Sequence, residues 1–172
     1  LACKYGITGP DVAPAIPGGL SGVPAIGGVR LSWAPNAGDG SYDLTWSTNS
    51  GGPFKMLATN LIATSFLQTN AAIGTTNYYE VAAVDNCSSS ADSTAAQVYL
   101  PAPALAASAA GPQSLALGWP AWVAGGQLQF TTNLTPPVAW YPATNAPATN
   151  NGQIVVTVPL NSGTRFFRLA AP

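Results

Sequence analysis

Four aromatic side chains carry most of the capacity this sequence has to meet another molecule: Trp46, Trp122, Trp140 and Tyr141. Trp122, Trp140 and Tyr141 stand beside Pro, Ala or Gly near turns. Amphipathic rings in such places form contact surfaces, either as a flat platform for sugar rings or as an anchor for a neighbouring subunit. Trp46 shares an alternating face with Tyr42 and Leu44, a pattern that also suits a core position. Other chemistry is sparse. The chain has no His, so Ser-His and Cys-His nucleophile schemes are excluded. Its acids are Asp11, Asp39, Asp43, Glu80, Asp85 and Asp92, and four of them flank turns in pairs, which is the pattern of turn capping. Asp39 and Asp43 supply too few oxygens for calcium. No phosphate loop or dinucleotide fingerprint is present. The reading is therefore a non-enzyme with no cofactor and no metal.

Cys3 and Cys87 are the two cysteines, and neither lies in a CxxC pair, which argues against zinc. The expectation is a Cys3–Cys87 disulfide, contributing roughly 4.5 kcal/mol through loop entropy and implying an oxidising compartment. Two buried thiols are the alternative. Asn86-Cys-Ser88 and Asn133-Leu-Thr135 match the glycosylation acceptor pattern, which arises readily by chance in an Asn- and Thr-rich chain.

The 172 residues include five Lys plus Arg and six Asp plus Glu, and charged residues make up 6% against about 25% in ordinary soluble domains. A net charge of −1 gives no field to hold nucleic acid. The same weak charge gives copies little repulsion. No apolar run is long enough to span a membrane, since Ser108, Pro112, Ser114 and Pro120 break the most apolar stretch. No basic segment followed by an apolar one opens the chain, so a secretory signal is expected to have been removed.

The elements that must position the aromatics are strands. Val29, Leu31 and Trp33 alternate with Arg30 and Ser32, and Tyr42, Leu44 and Trp46 with Asp43 and Thr45. Ile154, Val156 and Val158 repeat the pattern, with Gly, Pro, Asn and Ser between runs. There is also an internal repeat. Gly-Val-Arg-Leu-Ser-Trp at 28–33 matches Ser-Leu-Ala-Leu-Gly-Trp at 114–119, and Asp-Leu-Thr-Trp-Ser-Thr-Asn at 43–49 matches Gln-Leu-Gln-Phe-Thr-Thr-Asn at 127–133. Two β modules in tandem follow, joined near Pro101-Ala102-Pro103.

Residues 13–101 resemble a fibronectin type III domain. The likeness rests on Pro17-Gly-Gly-Leu20, Val29-Arg-Leu-Ser-Trp33 as a B strand and Tyr42-Asp-Leu44 as a C strand. It continues through Gly51-Gly-Pro-Phe54, Gly74 to Asn86 as an F strand and Ser93 to Leu100 as a G strand. One position departs: where that family places its corner tyrosine this chain has Asn77, beside Tyr78. Residues 102–172 resemble short C-terminal β modules of bacterial secreted proteins, through Leu115 to Pro120, Leu128 to Leu134, Trp140 and Phe166-Phe-Arg-Leu169. Strands are expected near 104–108, 113–119, 126–133, 138–141, 152–159 and 165–170, which leaves this module no counterpart of the G strand.

The expected class is thus all-β, two tandem immunoglobulin- or fibronectin-like sandwiches after a leader at 1–12, the second short of its last strand. Two functions fit, both extracellular or at a bacterial cell surface. In the first, the chain is a structural subunit of a filament, appendage or surface layer, associating head to tail with copies of itself as the leader of one completes the second module of the next. In the second, it is an accessory module that binds a neutral polysaccharide or serves adhesion.

Overall fold

The computed structural model describes residues 13–36, 40–85, 88–123, 125–160 and 163–170. Every regular element among them is a strand. No helix is long and apolar enough to cross a membrane. The chain divides into two compact units, with the boundary between Pro101 and Ala102. Cys3, Cys87 and the leader at 1–12 lie outside the described residues.

The first unit has seven strands: β1 (Ser21–Ala25), β2 (Gly28–Ser32), β3 (Ser41–Ser47), β4 (Lys55–Leu61), β5 (Ser65–Gln68), β6 (Thr75–Val84) and β7 (Ala96–Leu100). They form one sheet in the order β1-β2-β5 and another in the order β4-β3-β6-β7. This is a fibronectin type III-like sandwich, and the expected B, C, F and G strands are β2, β3, β6 and β7. Alternation decides the inward face. Val29 and Leu31 are fully buried while Arg30 and Ser32 face solvent. Leu44, Tyr79, Val81 and Ala83 meet them from the other sheet. Each large apolar side chain buried this way contributes about 1.5–3 kcal/mol. Trp33 packs edge-on against Tyr42, with centroids 5.6 Å apart.

The departure from the corner tyrosine is resolved by an amide. Asn77, fully buried on β6, accepts the Ala72 N–H at 3.0 Å through Oδ1 and donates from Nδ2 to the Ala72 carbonyl at 2.8 Å. The same Oδ1 accepts the Trp46 indole N–H at 2.9 Å. Asn77 thus ties the β5–β6 connection to the sheet. At the other end, β6 outruns β7 and serines take over the ladder. Ser90 and Ser93 donate their backbone N–H groups to Ala83 and Val81, and their hydroxyls accept the N–H groups of those residues at 2.9 and 3.1 Å.

The second unit has strands β8 (Ala106–Ala109), β9 (Ser114–Pro120), β10 (Gln127–Thr131), β11 (Tyr141–Pro142), β12 (Ala148–Asn150), β13 (Gln153–Pro159) and β14 (Phe166–Ala170). One sheet runs β12-β13-β9-β8, the other β11-β10-β14. Leu117 and Trp119 of β9, Val156 and Val158 of β13 and Leu128 of β10 form its core, with Phe167 and Leu169 of β14 packed on them. β12 was not among the expected strands. It forms a tight hairpin with β13, whose turn holds Asn151 and Gly152 at φ +46° and +74°, the left-handed pair that such a turn demands. Among the described residues β14 pairs only with β10.

Candidate functional site

The residues singled out from the sequence separate into different environments. Trp46, on β3 of the first unit, is half-buried and spends its indole N–H on Asn77. Trp122 packs against the core of the second unit. Its Nε1 is buried and has no hydrogen-bond partner among the described residues. Both therefore serve packing more than a surface.

Trp140 and Tyr141 are adjacent in sequence but lie on opposite faces of the β11-β10-β14 sheet. Tyr141 pairs with Phe130 across the ladder, and their rings sit 6.2 Å apart. Phe130 in turn pairs with Phe167, which packs on the core. Gln129 precedes Phe130, so alternation sends it to the outer face, together with its partner Arg168. The Arg168 guanidinium lies over the Trp140 ring at 4.4 Å, and its Nε donates to Gln129 Oε1 at 2.9 Å. Trp140 therefore belongs to the outer face. Tyr141, 56% exposed, stands at the inner rim, where Arg165 approaches Phe130 to 5.5 Å.

The outer face is the candidate surface. Phe166, two residues before Arg168 on β14, shares it and is 36% exposed. An aromatic ring beneath a guanidinium pinned by an amide gives a flat, preorganised patch with hydrogen-bond donors at its edge. The sequence analysis found Trp140 but missed Gln129, Phe166 and Arg168. The partnership depends on the β10–β14 register, and the alternating Phe166-Phe-Arg168 ending was the one available cue.

Two of the acids, Asp43 and Asp85, do structural work. Asp43 Oδ1 accepts the N–H of Asn60, which bulges at φ +56° in β4, at 3.0 Å. Asp85 Oδ1 accepts the Ser88 N–H at 2.6 Å. Burial first, and the Asp92 carboxylate second, push the Glu80 carboxyl up. Among the described residues no three His, Cys, Asp or Glu side chains gather as a metal site.

No family model matches the chain. It is 40% identical to a solved Fn3-like protein from Clostridium thermocellum, over 53% of this chain and 97% of that one, with a TM-score of 0.48. It is 30% identical over 90 residues to an amylopullulanase of Thermoanaerobacterium saccharolyticum, a match that spans 52% of this chain and 7% of the enzyme. The chicken interferon gamma receptor alpha chain aligns over 92% of this chain at 14% identity, with a TM-score of 0.49.

Proposed function

We propose that this chain, which belongs with the fibronectin type III-like domains through its first unit, is a non-catalytic accessory part of a secreted bacterial protein. In this reading the outer face of the β11-β10-β14 sheet holds a neutral polysaccharide. The observation that carries the proposal is the patch itself: Trp140 beneath Arg168, with Gln129 fixing the guanidinium and Phe166 alongside. Aromatic rings pack against the C–H faces of sugar rings, and a fixed guanidinium and amide address hydroxyls. The likeness to part of an amylopullulanase, an enzyme named for its polysaccharides, supports the same direction, and its source supports a bacterial origin. The test is retention of the full chain on insoluble starch and cellulose. Trp140→Ala and Arg168→Ala are expected to cut retention at least tenfold, about 1.4 kcal/mol. Equal retention of both variants and the parent would remove this face from the reading.

A second reading, the subunit of an extracellular filament, draws on one feature. In the first unit β1 lies so close to β7 that a side chain at Gly22 would strike Val98. In the second unit the four residues of β8, the counterpart of β1, are all exposed, and β14 pairs on one side only among the described residues. A strand from another copy fits that opening. Electron microscopy of the purified chain decides it: regular filaments that vanish on deletion of residues 1–12 support head-to-tail assembly, and a monodisperse monomer rules it out.

A further inference from the structure

We infer that the outer-face patch selects polysaccharides that carry uronic acids over wholly neutral ones, with one sugar carboxylate seated on Arg168. This deepens the polysaccharide reading and rests on it for the class of polymer; what it adds is the charge of the ligand.

The first observation is how charge is divided between the units. Residues 1–101 hold all six Asp and Glu, together with Lys4, Arg30 and Lys55. Residues 102–172 hold Arg165 and Arg168 and no acidic side chain. Arg168 therefore has no carboxylate side chain within its own unit to pair with. Water satisfies an ordinary exposed guanidinium, so the geometry decides.

The second observation is that this guanidinium is fixed. It lies 4.4 Å from the centroid of the Trp140 ring, and its Nε donates to Gln129 Oε1 at 2.9 Å. Gln129 stands directly across the β10–β14 ladder, so strand pairing sets both side chains. An arginine has five N–H donors in one plane. One is spent on Gln129, and the four on the terminal nitrogens have no partner among the described residues. Exposed ion pairs contribute little because two long side chains must be ordered to make them. Here one partner is ordered in advance, and the other is a carboxylate held on a sugar ring.

The ligand class follows from these two. A flat guanidinium fork matches a flat carboxylate through two parallel bonds. Arg168 brings one positive charge, which one carboxylate balances. The rest of the face is uncharged, with the amides of Gln127 and Gln129 for hydroxyls and Phe166 for ring C–H groups. An acidic protein segment has few hydroxyls and no C–H face of that kind to offer them.

The test is calorimetric titration of the full chain with partly methyl-esterified polygalacturonate and with the fully esterified polymer, one backbone with and without carboxylates. The acid-bearing polymer should bind about three- to tenfold tighter at low salt, and the margin should shrink in about 0.5 M NaCl. The chain carries −1 overall, so a general attraction to polyanions does not imitate this result. Arg168→Gln should erase the margin. Arg165→Gln, whose guanidinium lies toward Phe130 at the inner rim, should keep it. Equal affinities for the two polymers, or an equal loss in both variants, overturn the assignment. Tighter binding of polyglutamate also overturns it, since the partner is then an acidic protein. If the chain is retained on starch or cellulose with no margin for the acid polymer, the uronate falls and the outer-face reading stands. If no polysaccharide binds, both fall.

Discussion

Replacing Asn77 by Ala tests the claim that an amide does the work of a corner tyrosine. The substitution removes two bonds to Ala72 and one to Trp46, at 3.0, 2.8 and 2.9 Å. A longer contact of 3.5 Å, from Nδ2 to the Thr75 carbonyl, adds little. A buried hydrogen bond contributes about 0.5–1.5 kcal/mol net, and an abandoned buried partner costs about 1–3 kcal/mol. Ala72 is only partly buried and regains water as its loop opens, so the low end applies to its two bonds; Trp46 Nε1 is left without an acceptor. The sum is about 3 kcal/mol, or roughly 12–24 °C in Tm for a unit of this size. Hydrogen exchange read peptide by peptide on the intact chain separates the units, and the loss should be confined to residues 13–101. Asn77→Asp adds a directional check. A carboxyl at this buried position titrates above its unfolded value of about 3.9, because burial disfavours the charge and the protonated form alone can donate to the Ala72 carbonyl. Its contribution is then present below the unfolded value and lost as pH rises through the folded one. The deficit of Asn77→Asp against the parent should therefore be smallest near pH 4 and widen toward pH 7. A loss below 1 kcal/mol for the Ala variant, or a deficit that is flat with pH, refutes the reasoning.

Three further outcomes follow from the first unit. Ser90→Ala and Ser93→Ala each strand a buried N–H of β6 and should cost about 1–3 kcal/mol in urea unfolding, while Ser89→Ala, at an exposed position, should fall within about 0.5 kcal/mol of the parent. Glu80→Gln should stabilise at pH 7: a carboxyl held up by burial and Asp92 binds its proton more readily folded than unfolded, so its penalty appears as pH rises through the folded value. The parent should thus gain stability on acidification toward pH 4.5 relative to the variant, and parallel stability curves would contradict this. Gly28→Ala combines a φ of +155° with a Cβ driven into the Gln68 backbone. It should lose more than about 4 kcal/mol, and near-parental unfolding would show that β2 and β5 part easily.

Much of the fold was legible because strand burial has a period of two. Val29 and Leu31 against Arg30 and Ser32 announce β2, and the repeated Trp-ending strands announce two modules. β12 was missed although Asn151-Gly152 is a strong hairpin cue, since a three-residue strand whose one apolar member is Ala148 carries no periodic signal. The site was harder. Trp140 was found by residue type alone, and only the register of β10 against β14 reveals Arg168 as its partner and sends Tyr141 to the other face. Register is set by pairing between distant segments, so a local pattern cannot contain it.

Asn77 belongs to the same argument from the other side. The sequence exposed the gap, a corner without its phenol, but not the repair, because a side-chain amide that bonds an irregular loop has no signature in spacing. Ser90, Ser93 and Thr131 repeat the device: Thr131 Oγ1 donates to the Asn133 carbonyl and accepts its N–H. At these four places a neutral amide or hydroxyl stands in for a strand. That substitution makes a chain with 6% charged residues workable. Ion pairs in the same buried places would face desolvation losses that their mutual attraction need not recover, whereas a hydroxyl or amide is satisfied by one or two backbone partners. In these sandwiches uncharged side chains are thus a means by which buried backbone is closed.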